Sequence, residues 1–257
     1  MIDRLSRMLT TRHTPQFHPH PGPTGNRELP FGVGGKSGAF RAAIFGVNDG
    51  LVSNLSLIMG FAGAAVENRV VILAGVAGLL AGAFSMAAGE YQSMKVQREL
   101  FERLLHLEAH ELATEPDEEH EELREIYESR GFPPELARRV TEVVMRDPKV
   151  ALETHAREEL GLDPQELGSP WGAAVSSFLT FAVGAAVPLV PFLVGSGSAA
   201  VYAAIAASGV SLFAVGATLT LLTGRQPWVS GFRMLVVGGV AAAVTYTVGS
   251  AVHAGTA

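Results

Sequence analysis

The sequence contains no cysteine, and it has long stretches without any charged residue. Without cysteine there can be no disulfide bond and no thiolate metal site. Lysine, arginine, aspartate and glutamate are all absent from residues 70–89, 167–224 and 234–257. A soluble domain exposes charged side chains at much shorter intervals. These stretches therefore exclude an ordinary soluble fold and indicate helices buried in a membrane.

Aromatic residues are also scarce, at 7% of the 257 residues, whereas glycine is abundant, with 29 residues. Small residues allow helices to approach closely in lipid. No segment alternates apolar and polar residues as a strand does. We therefore predict an all-α membrane protein with five transmembrane helices. A crossing of about 30 Å takes roughly 20 helical residues, and five segments are long enough: 41–65, 70–94, 171–194, 199–223 and 230–253.

The remaining segments set the domain boundaries and the orientation in the membrane. Residues 1–38 form a tail containing proline and histidine, which we predict to be disordered. Residues 39–94 hold the first two spans, 95–168 an amphipathic helical domain, and 169–257 the last three spans. Basic residues cluster before the first span and after the fourth, whereas the loops after the first and third spans hold only Arg69. By the positive-inside rule, the N-terminus and residues 95–168 are cytoplasmic and the C-terminus is external.

The domain between the second and third spans is strongly acidic at its start. Residues 99–128 include eleven glutamates and one aspartate, against two arginines. Some of these glutamates have i,i+3 spacing, so that the members of each pair share one face of a helix. Two such pairs stand out, namely Glu108 with Glu111, and Glu119 with Glu122.

A turn at Pro116 would bring these two glutamate pairs opposite each other. A third helix would add His155 and Glu159, which are i,i+4. Converging carboxylates repel one another unless a cation lies among them. Divalent ions such as Mn²⁺ and Fe²⁺ suit an oxygen-rich set of ligands. The composition alone favours a metal site and an acidic solvated helix face equally.

Three residues place polar or metal-binding groups in the first two spans. Asp49 lies about a third of the way into the first span, where a carboxylate costs at least about 2.5–3.5 kcal/mol. Met86 and Glu90 are i,i+4 on the second span and so face the same way. The plainer alternatives are a packing role for Met86, an interfacial position for Glu90 and, for Asp49, a carboxylate that is satisfied by neighbouring backbone or serine groups. A thioether can also hold a borderline metal ion, and an acid inside a membrane indicates an ion or proton pathway. We predict that all three residues belong to one pathway.

Four stretches of the chain together resemble one known family. They are "FGVNDGLVSNLSLIMG", "AGAFSMAAGEYQS", the acidic domain ending in "REELGL", and "SSFLTFAVGAAVPLVPF". From Phe40 to the C-terminus the sequence resembles the vacuolar iron transporters, which include the yeast vacuolar iron and manganese importer and plant nodulin-like relatives. The resemblance implies five membrane helices with a cytoplasmic metal-binding domain inserted between the second and third. It also implies a homodimeric cation/proton antiporter that moves Fe²⁺, and in some members Mn²⁺, out of the cytosol.

The resemblance also implies roles for individual residues. The family's pore aspartate falls on Asp49 and its pore methionine on Met86, with the path between the first helices of two subunits. His155 stands where eukaryotic members carry a methionine, which changes the expected metal preference. The glutamates of the family's metal-binding domain fall on Glu108, Glu111, Glu119, Glu122 and Glu159.

Two other classes of protein remain as alternatives. A membrane-anchored, ferritin-like oxidase of Fe²⁺ needs Glu-x-x-His pairs, which the two glutamate pairs lack. A metal sensor without transport would leave Asp49 unexplained. We therefore expect a transporter and not an enzyme, with Fe²⁺ or another divalent ion as its substrate and no separate cofactor. The expected partners are protons, lipid and a second copy of the chain, without nucleic acid, and the short loops favour a bacterial plasma membrane.

Overall fold

The computed structural model describes residues 35–165, 167–223 and 226–256. Within these ranges the chain forms eight α-helices and no strand. Prolines begin most of the later helices, because the first helical turn needs no N–H from that position. The helices are α1 (Gly35–Gly63), α2 (Asn68–Thr114), α3 (Pro116–Ser129), α4 (Pro134–Val144), α5 (Pro148–Glu158), α6 (Pro170–Val194), α7 (Gly197–Thr223) and α8 (Pro227–Thr256).

Five of these helices, α1, α2, α6, α7 and α8, are long and apolar enough to cross a membrane. They correspond to the five predicted spans, so the prediction of an all-helical protein with five spanning helices is confirmed. Residues 1–34 of the predicted disordered tail lie outside the described residues, and its last four residues are the first turn of α1. Large apolar side chains such as Leu73, Phe84 and Val183 are exposed along these helices, as contact with lipid requires.

Helix α2 continues far beyond the length that a membrane requires. Its 47 residues correspond to about 70 Å of helix, more than twice the thickness of a hydrocarbon core. Its second half packs with α3 and α5 to form a helical insert between the second and third spans. The turns of the insert follow the sequence pattern. Gly131 and Gly161, which follow α3 and α5, have φ values of +92° and +66°, which glycine adopts without strain.

Helices α1 and α6 approach backbone to backbone, because glycines face each other across the contact. A Cβ atom on Gly50 would lie 2.2 Å from the carbonyl oxygen of Phe181. A Cβ atom on Gly184 would lie 2.2 Å from the carbonyl oxygen of Val47. The G-x-x-x-G pair of Gly46 and Gly50 suggests, from sequence alone, either a contact between the first helices of two subunits or packing within one subunit. The structure has the second arrangement, since both glycines are buried against α6 of the same chain.

Candidate metal centre and membrane cavity

The helical insert brings side chains from three helices to one point. Glu108 comes from α2 and Glu119 from α3, while His155 lies on α5 and Glu159 at its C-terminal end. Four ligand atoms, one from each residue, lie within 4.8 Å of one another. We call these four residues the carboxylate–histidine cluster. Its members are separated by up to 51 positions in sequence, so only the packing of the insert brings them together.

Local interactions set the position of α5, which carries the histidine. The side chain of Asp147 caps this helix by accepting hydrogen bonds from the backbone N–H groups of Lys149, at 2.9 Å, and Val150, at 3.4 Å. Pro148 then occupies the first helical turn. At the other end, an ion pair between Arg130 and Glu158 joins the loop after α3 to α5. The cap defines where α5 begins, and the ion pair links the end of α5, near His155, to the loop after α3.

Three members of the cluster are buried and Glu159 is exposed, and their atoms are close without being fully paired. The His155 side chain is 0% exposed, while Glu108 and Glu119 are 3% and 7% exposed. His155 Nδ1 lies 3.1 Å from Glu108 Oε1, 3.4 Å from Glu119 Oε2 and 3.9 Å from Glu159 Oε2. Neither nitrogen of His155 is aligned with a hydrogen-bond partner, and the same is true of Glu108 Oε1 and Glu119 Oε2. Buried polar atoms are normally paired, so this arrangement is typical of a site built for a ligand.

Electrostatics inside the cluster favour bound protons when no cation is present. Burial raises the pKa of Glu119 to about 7, and the neighbouring Glu108 carboxylate adds to that effect. Burial lowers the pKa of His155, but the carboxylates of Glu108 and Glu159 outweigh burial and raise it to about 9. A divalent cation would take the place of these protons, because it neutralises the same carboxylates and binds the neutral imidazole.

The ligand types fit one divalent ion. Carboxylate oxygens and an imidazole nitrogen together suit borderline ions such as Fe²⁺, Co²⁺ and Zn²⁺ as well as Mn²⁺. Two of the predicted glutamates, Glu111 and Glu122, are not members of the cluster and lie at exposed positions. Glu122 is close enough to raise the pKa of Glu119 through its charge. In each i,i+3 pair, one carboxylate is thus buried in the cluster and the other is exposed outside it.

A second group of polar residues lies between the membrane helices. Asp49 and Met86 line a cavity of about 400 Å³ between α1, α2 and α6. Asp49 itself is exposed at the surface of the subunit, whereas Met86 is half-buried. The predicted neighbour Glu90 is not among the residues that line this cavity, although its Oε2 is buried without a hydrogen-bond partner. We call this space the membrane cavity.

Several polar residues of the membrane cavity were not singled out from the sequence. Ser53 and Asn54 from α1 and Ser85 from α2 also line it. Two of them stand four and five positions after Asp49 in the same span. That spacing places them one turn or more further along α1. The occurrence of polar side chains so near an intramembrane acid is the signal by which the sequence could have indicated them.

Most of the chain is similar to known proteins. Residues 40–250 match the VIT family. The chain is 36% identical over 219 residues to a protein from Acanthamoeba castellanii named vacuolar iron transporter, covering 84% of this chain and 79% of that protein. It is also similar to two rice proteins from Oryza sativa subsp. japonica, named vacuolar iron transporters 1 and 2. Each alignment covers 214 residues, or 83% of this chain. The identity is 30% to the first protein, of which 85% is covered, and 32% to the second, of which 87% is covered.

Proposed function

Because the chain belongs to the VIT family of vacuolar iron transporters, we propose that it carries Fe²⁺, or a similar divalent ion such as Mn²⁺, across a membrane. Five apolar helices and relatives named as transporters together make it a multi-pass membrane protein. The proposed direction is out of the cytosol, in exchange for protons. In this scheme the metal ion is the substrate, and the chain is a transporter rather than an enzyme.

The observation that carries this proposal is that Asp49 of α1 and Met86 of α2 line the same membrane cavity. A carboxylate among apolar helices is costly unless it serves an ion. A carboxylate oxygen and a thioether sulfur are ligands for a borderline ion such as Fe²⁺. Asp49 is exposed at the surface of one subunit, so a second copy of the chain would shield it from lipid. We therefore propose a two-fold dimer with the path at its axis, which mass measurement in lipid would test.

The carboxylate–histidine cluster would capture the ion before transport. Positive-inside asymmetry supports a cytoplasmic N-terminus, which places the helical insert on the cytoplasmic side and the C-terminus outside. With one imidazole and three carboxylates, the cluster provides ligands for one ion. A di-iron oxidase, by contrast, gathers two Glu-x-x-His motifs, and the two glutamate pairs of this chain lack that histidine. Glu111 and Glu122 would hold incoming ions at the exposed edge of the cluster.

Proton exchange would occur in the membrane helices. Asp49 must be ionised to bind the metal ion and releases any proton that it carries. Glu90, one turn from Met86 on α2, is a second candidate for carrying protons. The side chain of Met86 would hold the dehydrated ion as it leaves the cytoplasmic side. A bacterial plasma membrane remains our proposal for the location.

Transport by purified protein in proteoliposomes tests the proposal. Fe²⁺, Mn²⁺, Co²⁺ and Zn²⁺ would be offered in parallel, with a dye that reports the internal pH. We expect metal flux coupled to proton flux in the opposite direction. Asp49→Asn keeps the size of the side chain but removes its charge and its titrating proton, so we expect it to abolish both fluxes.

The matched control is Glu67→Gln, which removes an acid from the exposed loop between the same two helices, outside the membrane cavity. This variant should transport like the unmodified protein. Transport by Asp49→Asn at the unmodified rate would show that the path does not pass through the membrane cavity. Metal flux without proton flux would exclude exchange and leave a uniporter.

A further inference from the structure

Asn54 is a buried amide whose two ends have different surroundings. The residue is 2% exposed. Its Nδ2 donates a hydrogen bond of 2.6 Å to the carbonyl oxygen of Ala185 on α6. Its Oδ1 is buried but has no hydrogen-bond partner. Since the bond to Ala185 fixes the amide, the oxygen is held in one direction without a donor to meet it.

The amide lies at the wall of the membrane cavity, with its oxygen beside α2. Asn54 lines the cavity together with Asp49, and its Oδ1 faces Gly78 of α2, which is another lining residue. A Cβ atom on Gly78 would lie 2.4 Å from Leu57 Cδ2 and 3.0 Å from this oxygen, so glycine puts no side chain of its own against the oxygen. Asn54 is five residues beyond Asp49, which corresponds to about 7.5 Å along α1. In the proposed orientation, Asn54 therefore lies on the external side of Asp49.

An oxygen in this position has the properties of an ion ligand. Buried carbonyl oxygens without a partner are rare in folded proteins and are costly to maintain. Side-chain amide oxygens bind divalent cations alongside carboxylates. A neutral oxygen holds a cation less strongly than a carboxylate does, and an ion must be able to leave each position that it occupies. A carboxylate followed by an amide oxygen thus provides a tight position and then a weaker one.

We propose that Asn54 Oδ1 is a ligand for the transported divalent ion, at a second position immediately beyond Asp49. This inference rests on the proposed transport function and adds to it a specific next position on the path. Gly78 leaves the α2 side of the oxygen without a side chain, and the bond to Ala185 keeps the oxygen oriented. The residue would act during passage and release of the ion, after its capture by the carboxylate–histidine cluster.

The first test compares substitutions that remove or cover the oxygen. Asn54→Leu removes the oxygen, together with the bond to Ala185, while keeping the branched shape of the side chain. Gly78→Ala keeps Asn54 and its bond to Ala185 but places a methyl group 3.0 Å from the oxygen and 2.4 Å from the flexible end of Leu57, which must shift. We expect each variant to reduce the maximal transport rate by about tenfold or more, the range seen for groups that support metal sites. Metal binding by the cluster, measured on the intact protein in detergent, should not change.

Two matched controls separate this role from general effects on packing. Ser56→Ala removes another buried polar oxygen without a partner from α1, outside the membrane cavity. Gly75→Ala adds a methyl group one turn from Gly78, where the nearest atom, at 2.6 Å, is the flexible end of Leu189. Both controls should transport at close to the unmodified rate. If Gly75→Ala slowed transport as much as Gly78→Ala, the effect of Gly78→Ala would be one of packing and our inference would lose that support.

The second test uses the absence of cysteine from the chain. In Asn54→Cys the only thiol would lie on the proposed path, and in Ser56→Cys it would lie outside it. We expect Cd²⁺ to block residual transport by Asn54→Cys but not transport by Ser56→Cys. Transported Mn²⁺ should slow modification of the thiol in Asn54→Cys by a small methanethiosulfonate reagent. A purely structural asparagine would show neither the block nor the protection.

The outcomes distinguish this inference from the function on which it rests. If the unmodified protein moves no divalent ion, the proposed function fails and this inference fails with it. If the unmodified protein transports, but Asn54→Leu and Gly78→Ala match it and Cd²⁺ does not block Asn54→Cys, only the role of Asn54 is overturned. If Asn54→Leu does not fold, Gly78→Ala and Asn54→Cys still decide the matter.

Discussion

Binding of a divalent ion to the carboxylate–histidine cluster should depend steeply on pH. The metal-free cluster holds protons, because the pKa of His155 is raised to about 9 and that of Glu119 to about 7. Both groups must lose their protons to act as ligands. Affinity should therefore rise as the pH rises, and it should level off only above the higher of the two pKa values.

The magnitude follows from these two pKa values. At about pH 7, protonation of His155 weakens binding about 100-fold, which is about 2.7 kcal/mol, and half-protonation of Glu119 weakens it about twofold more. Lowering the pH from 7 to 6 adds about tenfold from the histidine and about fivefold from the glutamate, so affinity should fall by about 50-fold. Raising it to pH 8 should increase affinity by about 17-fold. Binding at about pH 7 should release about 1.5 protons.

Calorimetry on the intact protein in detergent, with Co²⁺ as an air-stable ion, measures both quantities. Titrations in buffers of different ionisation enthalpy count the protons released. His155→Gln removes the group with the higher pKa, so affinity should then fall by no more than about tenfold between pH 7 and 6. The control is Glu125→Gln, which removes an exposed acid of α3 outside the cluster and should keep the full dependence. An affinity that is constant between pH 6 and 8, or an unchanged slope in His155→Gln, would refute the proposed ligand set.

Two further predictions concern the membrane helices. Gly50→Ala should lower the free energy of unfolding by about 1–3 kcal/mol, because its Cβ would lie 2.2 Å from the carbonyl oxygen of Phe181. The control Gly89→Ala should leave the stability unchanged, because its Cβ would have nothing within 4 Å. Thermal unfolding in detergent compares the two variants, and equal stability would contradict the close approach of α1 and α6. For the orientation, a thiol introduced by Ser196→Cys should be labelled by an impermeant reagent from outside the cell, and one introduced by Thr114→Cys only after permeabilisation; the reverse pattern would invert the proposed topology.

Much of the architecture could be predicted from the sequence, because it follows from local chemistry. Long uncharged stretches can be stable only as helices in lipid, where all backbone groups must be paired within the segment. Pro116 and Gly131 bound α3 because proline suits the first turn of a helix and glycine tolerates a positive φ after its end. Asp49 could be singled out for the same reason, since a carboxylate is conspicuous in an apolar span.

The choice between neighbouring residues was decided by tertiary structure alone. Residues at i and i+3 share a face of a helix, but their side chains differ in direction by about 60°. The packing of α2, α3 and α5 buries Glu108 and Glu119 and leaves Glu111 and Glu122 exposed. No local pattern distinguishes the two members of a pair, because the difference depends on which surface of a distant helix lies opposite.

The same limit explains the two glycines of α1 and the role that we infer for Asn54. The spacing of Gly46 and Gly50 shows that another backbone can come close, but not whether that backbone belongs to α6 or to a second subunit. The oxygen of Asn54 has a direction only because its nitrogen is bonded to Ala185, 131 residues away in sequence. Periodicity in a sequence encodes the face of a helix, whereas the partner of that face is determined by the packing of all the helices together.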